Sequence, residues 1–245
     1  MRYDPCNLMG NNVASGGRRE GGVMQAQGLT LHGPLGGRKY LNAAERRRFI
    51  ATAADRPGHV GAFCLLLAWT GSRVSEGLSV TPASFDLDRC VVSIVTLKRR
   101  RFVVREIVLP PPLVAELDAA YGIAAAQADP AKANRRLWPW RRQTGWRHVK
   151  SVMAAAGVAG DCAMPKGLRH GFAVAAFQAS IPPNLVQRWM GHASLKTTVI
   201  YAEVSGVEEM EFARRMWDRD PSLGGPSDPR TSTHNDGPEL VSPPE

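Results

Sequence analysis

The hydrophobic pattern divides the chain into a structured middle and two plain ends. Asn42 and Glu45 have capping-box spacing, so a helix starts there and turns Phe49 and Ile50 inward. Val60 to Trp69 is an apolar run of ten residues between His59 and Thr70, which predicts a helix buried on all sides. It is too short for a bilayer, which needs about 20 residues. Gly71 makes a turn, and Arg73 to Leu78 predict a further helical turn or two. The period then changes. Val91 to Leu97 and residues 102–109 (FVVREIVL) are β-branched and short, with Lys98 to Arg101 between them. That is a β-hairpin with a charged tip. Pro111 and Pro112 open a helix that runs to about Ala128. Short helices are expected at 146–156, 168–180, 183–190 and 194–202, with Ser194 capping the last of these. Val207, Met210, Ala213 and Trp217 form a stripe for a final helix. The expected fold class is mainly α with a small antiparallel β-sheet, an α+β arrangement.

The ends lack such periodicity. Residues 1–37 hold nine glycines and read as a flexible leader. Residues 218–245 are rich in Pro, Ser, Asp and Gly and read as a disordered acidic tail. Residues 38–217 between them suit one domain. A composition of 44% apolar and 22% charged residues excludes disorder of the whole chain. Cys6, Cys64, Cys90 and Cys162 form no C-x-x-C pair, which argues against a disulfide scaffold or a zinc ribbon. Asp4 and several glycines stand where a signal peptide would need an apolar stretch, so the expected location is the reducing cytoplasm.

Charge changes the picture. The chain carries +9, and a tail of net −4 leaves +13 on the rest. A body this basic suits a polyanion, either nucleic acid or an anionic membrane surface. The chain has no amphipathic helix of suitable length for a membrane surface, which leaves nucleic acid or a solvated basic surface with no partner.

Four segments concentrate unusual residues: TGSRVSE (70–76), TLKRRR (96–101), PKGLRHGF (165–172) and WMGHASLKTTVIYAEV (189–204). In this order they resemble the successive motifs of the tyrosine recombinase (phage integrase) family, from about Lys39 to Val204. The resemblance implies the fold of the DNA breaking-rejoining catalytic domain and site-specific recombination through a 3′-phosphotyrosyl intermediate. Arg73 and Arg169 would grip the scissile phosphate, and Lys98 would protonate the leaving oxygen. His192 would hydrogen-bond a non-bridging oxygen, and Tyr201 would be the nucleophile. The implied chemistry needs no metal and no cofactor. The implied partners are double-stranded DNA and further protomers, as a tetramer on DNA or with a partner recombinase. The last helix would be exchanged between subunits.

The physics fits that set. A phosphodiester is anionic, and in-line attack builds more charge on its oxygens, so catalysis rests on positioning and electrostatics. Guanidiniums offer planar bidentate donors and stay protonated. A phenol of pKa near 10 costs about 4 kcal/mol to ionise at pH 7, and nearby cations lower that cost. The phosphotyrosyl bond conserves the energy needed for rejoining.

Two departures stand out. Position 166 corresponds to the histidine of the family's His-x-x-Arg box but is lysine here. Lys166 is expected to act as a cationic phosphate donor that lowers the tyrosine pKa through its field. Glu203 stands at a commonly basic or histidine position. Family members also carry an N-terminal helical clamp domain, whereas only a Gly-rich stretch precedes Lys39. The expectation is therefore a protein that works with a partner, a remnant of a longer integrase, or a weak binder of DNA.

Plainer roles compete. Arg73 and Glu76 have the spacing of a surface ion pair. His170 reads as structural, packed behind Arg169. Trp138, Trp140 and Trp146, interleaved with arginines, suit either DNA or a core. Residues 183–202 also read as a helix-turn-helix, the mark of a non-catalytic DNA-binding remnant. Such a module has no need of Arg73, Lys98 and Arg169 in distant segments.

Overall fold

The computed structural model describes residues 30–33, 36–56, 58–97, 103–202 and 207–218. Most of the leader, the hairpin tip with Lys98 to Arg101, Glu203, and the tail after Asp218 lie outside the described residues.

Helix α1 (Ala43–Ala54) starts at the expected capping box. The Glu45 backbone N–H donates to Asn42 Oδ1 at 2.8 Å, and the Asn42 N–H donates to Glu45 Oε2 at 3.0 Å. Two orphan donors of the helix start are thereby satisfied. Helix α2 (His59–Thr70) is the buried rod that its composition predicts, with Phe63 to Ala68 all inside. It ends at Gly71 in the left-handed region, with φ 59°. A Cβ there would stand 2.3 Å from Phe172 Cδ1, so only glycine fits. A single helical turn, α3 (Val74–Gly77), follows.

The sheet has three antiparallel strands in the order β1 (Phe85–Asp86), β2 (Val91–Val95), β3 (Val104–Val108). The hairpin β2–β3 is as expected, with Val91 opposite Val108 and Ile94 opposite Arg105. Strand β1 is too short for periodicity to announce.

Helix α4 (Pro111–Tyr121) stops earlier than expected. Gly122, at φ 59°, caps it, and α5 (Ile123–Gln127) starts afresh. Helix α6 (Pro130–Ala133) is capped by Asp129. Helix α7 (Arg142–Ala155) begins four residues before its expected start. Helix α8 (Pro165–Gln178) begins at Pro165, whose fixed φ and missing N–H suit a first turn. Helix α9 (Pro183–Met190) has its expected bounds. The segment expected as one helix over 194–202 is instead α10 (Lys196–Val199) and a 3₁₀ turn (Ile200–Ala202). Leu195 is its N-cap, although Ser194 Oγ accepts from the Lys196 N–H at 3.2 Å. Helix α11 (Val207–Trp217) closes the described chain.

The core wraps α2 with α1, α7 and α8. Trp138 is wholly inside, its indole N–H donating to the His59 carbonyl at 3.0 Å. That assigns Trp138 to packing. Trp140 is partly buried against Phe63 and His148. A second cluster joins Leu31 and Tyr40 to Phe172–Phe177, Val186, Met190 and Tyr201. Between the two clusters meet the end of α2, the start of α8, the end of α9 and the turn holding Tyr201.

Candidate active site

Glu76 anchors the site. It is fully buried, and its carboxylate is saturated. Arg73 donates its backbone N–H to Oε2 at 3.0 Å and its Nη1 to Oε1 at 2.7 Å. Arg105 Nη2 donates to Oε2 at 2.5 Å, and Arg169 Nη1 stands 3.9 Å away. Burial alone would raise the Glu76 pKa, but the Arg105 bond and the Arg73 contacts hold it below the usual carboxylate range. The i, i+3 pair of Arg73 and Glu76 therefore exists, but it is no surface pair. One carboxylate holds several guanidiniums close together, which like charges would otherwise resist.

Arg105 was hidden in an apolar strand. Along β3 the residues at 105 and 107 face inward, while Val104 and Val108 are exposed. The strand thus buries an arginine and leaves two valines outside. Its Nη1 donates to Thr96 Oγ1 at 2.7 Å, and its Nε is buried without a partner. Gly191, the left-handed cap of α9 at φ 63°, packs on this group. A Cβ there would meet Arg105 Nη1 at 2.9 Å.

Arg169, one turn into α8, is buried and ties two helix ends together. Its Nη1 donates to the Gly71 carbonyl at 2.7 Å and its Nη2 to the Met190 carbonyl at 2.5 Å. These bonds satisfy carbonyls that a helix end leaves open. Burial and the Arg73 charge lower its pKa to about 9, so it remains a cation at neutral pH. Its other N–H groups are free to meet an anion.

Tyr201 is 1% exposed, and its Oη lies 2.7 Å from His170 Nδ1. Burial pushes the phenol up to about 12, while Arg169 and Arg73 pull the other way. Cations were expected to ease ionisation; here burial outweighs them. A free phenolate at pH 7 then costs roughly 7 kcal/mol, at about 1.4 kcal/mol per unit. The hydroxyl carries its proton at rest.

His192 stacks on Tyr201, with ring centroids 6.1 Å apart and planes 16° off parallel. Its Nδ1 lies 2.9 Å from Thr198 Oγ1. Burial, then Arg169 and Arg73, lower its pKa to about 3, so the ring is neutral. With the Thr198 hydroxyl donating to Nδ1, the other ring nitrogen is left as a donor.

A cavity of about 720 Å³ gathers these groups. Arg73, Lys166, Arg169, His192 and Tyr201 all line it, as do His170, Arg142 and Trp146. Five of the six expected site residues therefore share one space. The sixth, Lys98, lies outside the described residues, but its neighbour Leu97 lines the cavity. Trp146 is 40% exposed, unlike Trp138. The sequence does not assign to the site Arg105, Glu76 as an anchor, or His170, which contacts Tyr201 rather than merely backing Arg169. Residues 183–202 do not form a helix-turn-helix with a recognition helix: α10 is one turn long, and Tyr201 after it points inward. Among the described residues no group of three or more His, Cys, Asp or Glu could hold a metal, and no helix is long and apolar enough to cross a membrane.

The helical body, the three-stranded sheet and the arginine-lined cavity define the fold of a tyrosine recombinase catalytic domain. The crystal structure of XerA recombinase superposes with a TM-score of 0.59 at 23% identity, covering 72% of this chain and 64% of that one. XerH recombinase, solved on its difH substrate before cleavage, gives 0.58 at 22%, covering 73% and 54%. The chain belongs to the phage integrase family, whose model matches residues 39–207. Tyrosine recombinase XerD of Neisseria meningitidis is 31% identical over 153 residues, covering 58% of this chain and 49% of the relative. The chain spans about half the length of the curated relatives it matches.

Proposed function

We propose that this protein is a site-specific DNA recombinase that cleaves and rejoins strands through a phosphotyrosyl bond at Tyr201. The carrying observation is the shared cavity, where a buried phenol meets Arg73, Lys166, Arg169 and His192. Arg73 and Arg169 hold two phosphate oxygens, and neutral His192 donates to a non-bridging oxygen. Lys98 delivers the proton to the leaving 5′ oxygen. Residues 38–217 form the catalytic domain, between a Gly-rich stretch and an acidic tail. The substrate is double-stranded DNA, a reading supported by the Tn1549 transposon integrase, solved in complex with transposon right end DNA, and the chain acts in the cytoplasm. Met210, Met216 and Trp217 on α11 are exposed and suit contact with a second protomer in a tetramer or with a partner recombinase.

The test uses a pool of nicked duplexes of randomised sequence, which trap the covalent state because the cleaved end diffuses away. A heat-stable protein–DNA adduct is expected. Retardation of DNA with no adduct on any sequence would instead identify a binding remnant.

Lys166 stands exposed in the first turn of α8 and acts as a cationic donor to the phosphate. Lys166→Met is expected to slow adduct formation by about tenfold. That is below the 10²–10³ typical of a buried donor, because water screens an exposed charge. Single-turnover rates on the trapping duplex check this, and an unchanged rate removes Lys166 from the mechanism.

A further inference from the structure

We infer that His170 is the base that takes the phenolic proton of Tyr201 as Oη attacks phosphorus. The inference rests on the recombinase reading above and assigns one step within it.

Geometry leads to His170. Its Nδ1 is 2.7 Å from Tyr201 Oη, well within the distance for proton transfer. The other candidates are placed wrongly. His192 lies nearly parallel to the phenol ring with centroids 6.1 Å apart, makes no hydrogen bond to Oη among the described residues, and has its Nδ1 engaged with Thr198. No hydrogen bond joins Lys166 to Oη among the described residues, and an ammonium has no lone pair to accept a proton. His170 lies four residues after Lys166 on α8, so both project from one face of the helix into the same cavity.

The protonation states agree. Burial, then Lys166 and Arg169, lower the His170 pKa to about 4, so the ring is neutral and able to accept. Tyr201 is protonated at rest and donates to Nδ1 in the tautomer that keeps its hydrogen on Nε2. A phenol near 12 does not ionise beforehand toward a base near 4, so the proton moves during attack. In that step the Oη–P bond forms and the P–O5′ bond breaks. The phenolic proton ends on His170 Nδ1. O5′ leaves with the bonding pair and takes a proton from the cationic donor assigned to Lys98. The new imidazolium faces the charge growing on the phosphate oxygens, which stabilises it. Rejoining runs the same transfers backward.

The test separates proton acceptance from positioning. The duplex selected by wild-type adduct formation is used with His170→Gln, which keeps a polar partner near Oη but accepts no proton, and with His170→Ala. Both are expected to retard DNA normally and to cleave about 10²–10⁴-fold more slowly. Imidazole added to His170→Ala is expected to restore much of the rate while leaving wild type and His170→Gln unchanged. A His170→Gln rate within a few-fold of wild type overturns the inference, as does failure of imidazole to rescue His170→Ala. An absence of adduct even with wild type overturns the recombinase reading itself, so the two failures are distinguishable.

Discussion

Glu76→Gln is expected to cost the domain about 3–5 kcal/mol of stability and to reduce strand cleavage to near background. The magnitude is that of removing one partner from a buried ion pair. Glutamine keeps the shape but not the charge, and Arg105, with its side chain 1% exposed, would be left as an uncompensated cation beside Arg73 and Arg169. Only Arg73, at 32%, could turn toward water. The strand, the α3 turn and the start of α8 would then separate, and with them the groups that meet the phosphate. Denaturant unfolding measures the first effect and adduct formation the second. A pH signature accompanies them. The Glu76 pKa is lowered on folding, so its contribution is fully present above the ordinary value of 4.5 and is lost as pH falls through the folded value. Wild type should lose this part of its stability below about pH 4.5, and Glu76→Gln should lack that slope. Equal stability of the two at pH 7 would show that the carboxylate does not hold the cluster together.

Arg169→Lys is the second large effect. The guanidinium bridges the Gly71 and Met190 carbonyls while keeping further N–H groups for an anion. A lysine ammonium is a point donor and cannot span both carbonyls and a phosphate. The expected outcome is a loss of about 10²–10³-fold in the rate of adduct formation, the size for one preorganised donor. DNA retardation should change little, because the charge remains. The rate on the trapping duplex decides it, and a lysine variant within a few-fold of wild type would show that bidentate geometry is unimportant here.

Much of this site was legible because its residues sit in short contiguous boxes whose chemistry is specific. Arg73, Arg169, His192 and Tyr201 needed no structure to be picked out, and Lys166 was visible as a departure. The capping box at Asn42 and the buried run of α2 follow from local physics, and both formed. What escaped was set by tertiary contacts. Arg105 sits in a β-branched strand, and its phase with Ile107, two residues on, places it on the inward face. From sequence His170 reads as packing, because helical spacing alone does not reveal which side chain will reach across to the turn at 200–202. Its position four residues after Lys166 was the available signal. The break between α4 and α5 was also written in the chain, as Gly122, but helix periodicity on both sides masked it. The effect of burial on Tyr201 had no sequence signal: arginines nearby argued for an acidic phenol, and only the packing around residue 201 reverses the sign.

The most direct measurement maps the covalent link. Trypsin cutting after Lys196 and Arg214 releases residues 197–214, which contain a single tyrosine, Tyr201. Digestion of the adduct with trypsin and nuclease, followed by mass spectrometric fragmentation, should place a nucleotide phosphate on Tyr201, and Tyr201→Phe should give no adduct. A phosphate on any other side chain, or an undiminished adduct from Tyr201→Phe, would contradict the account.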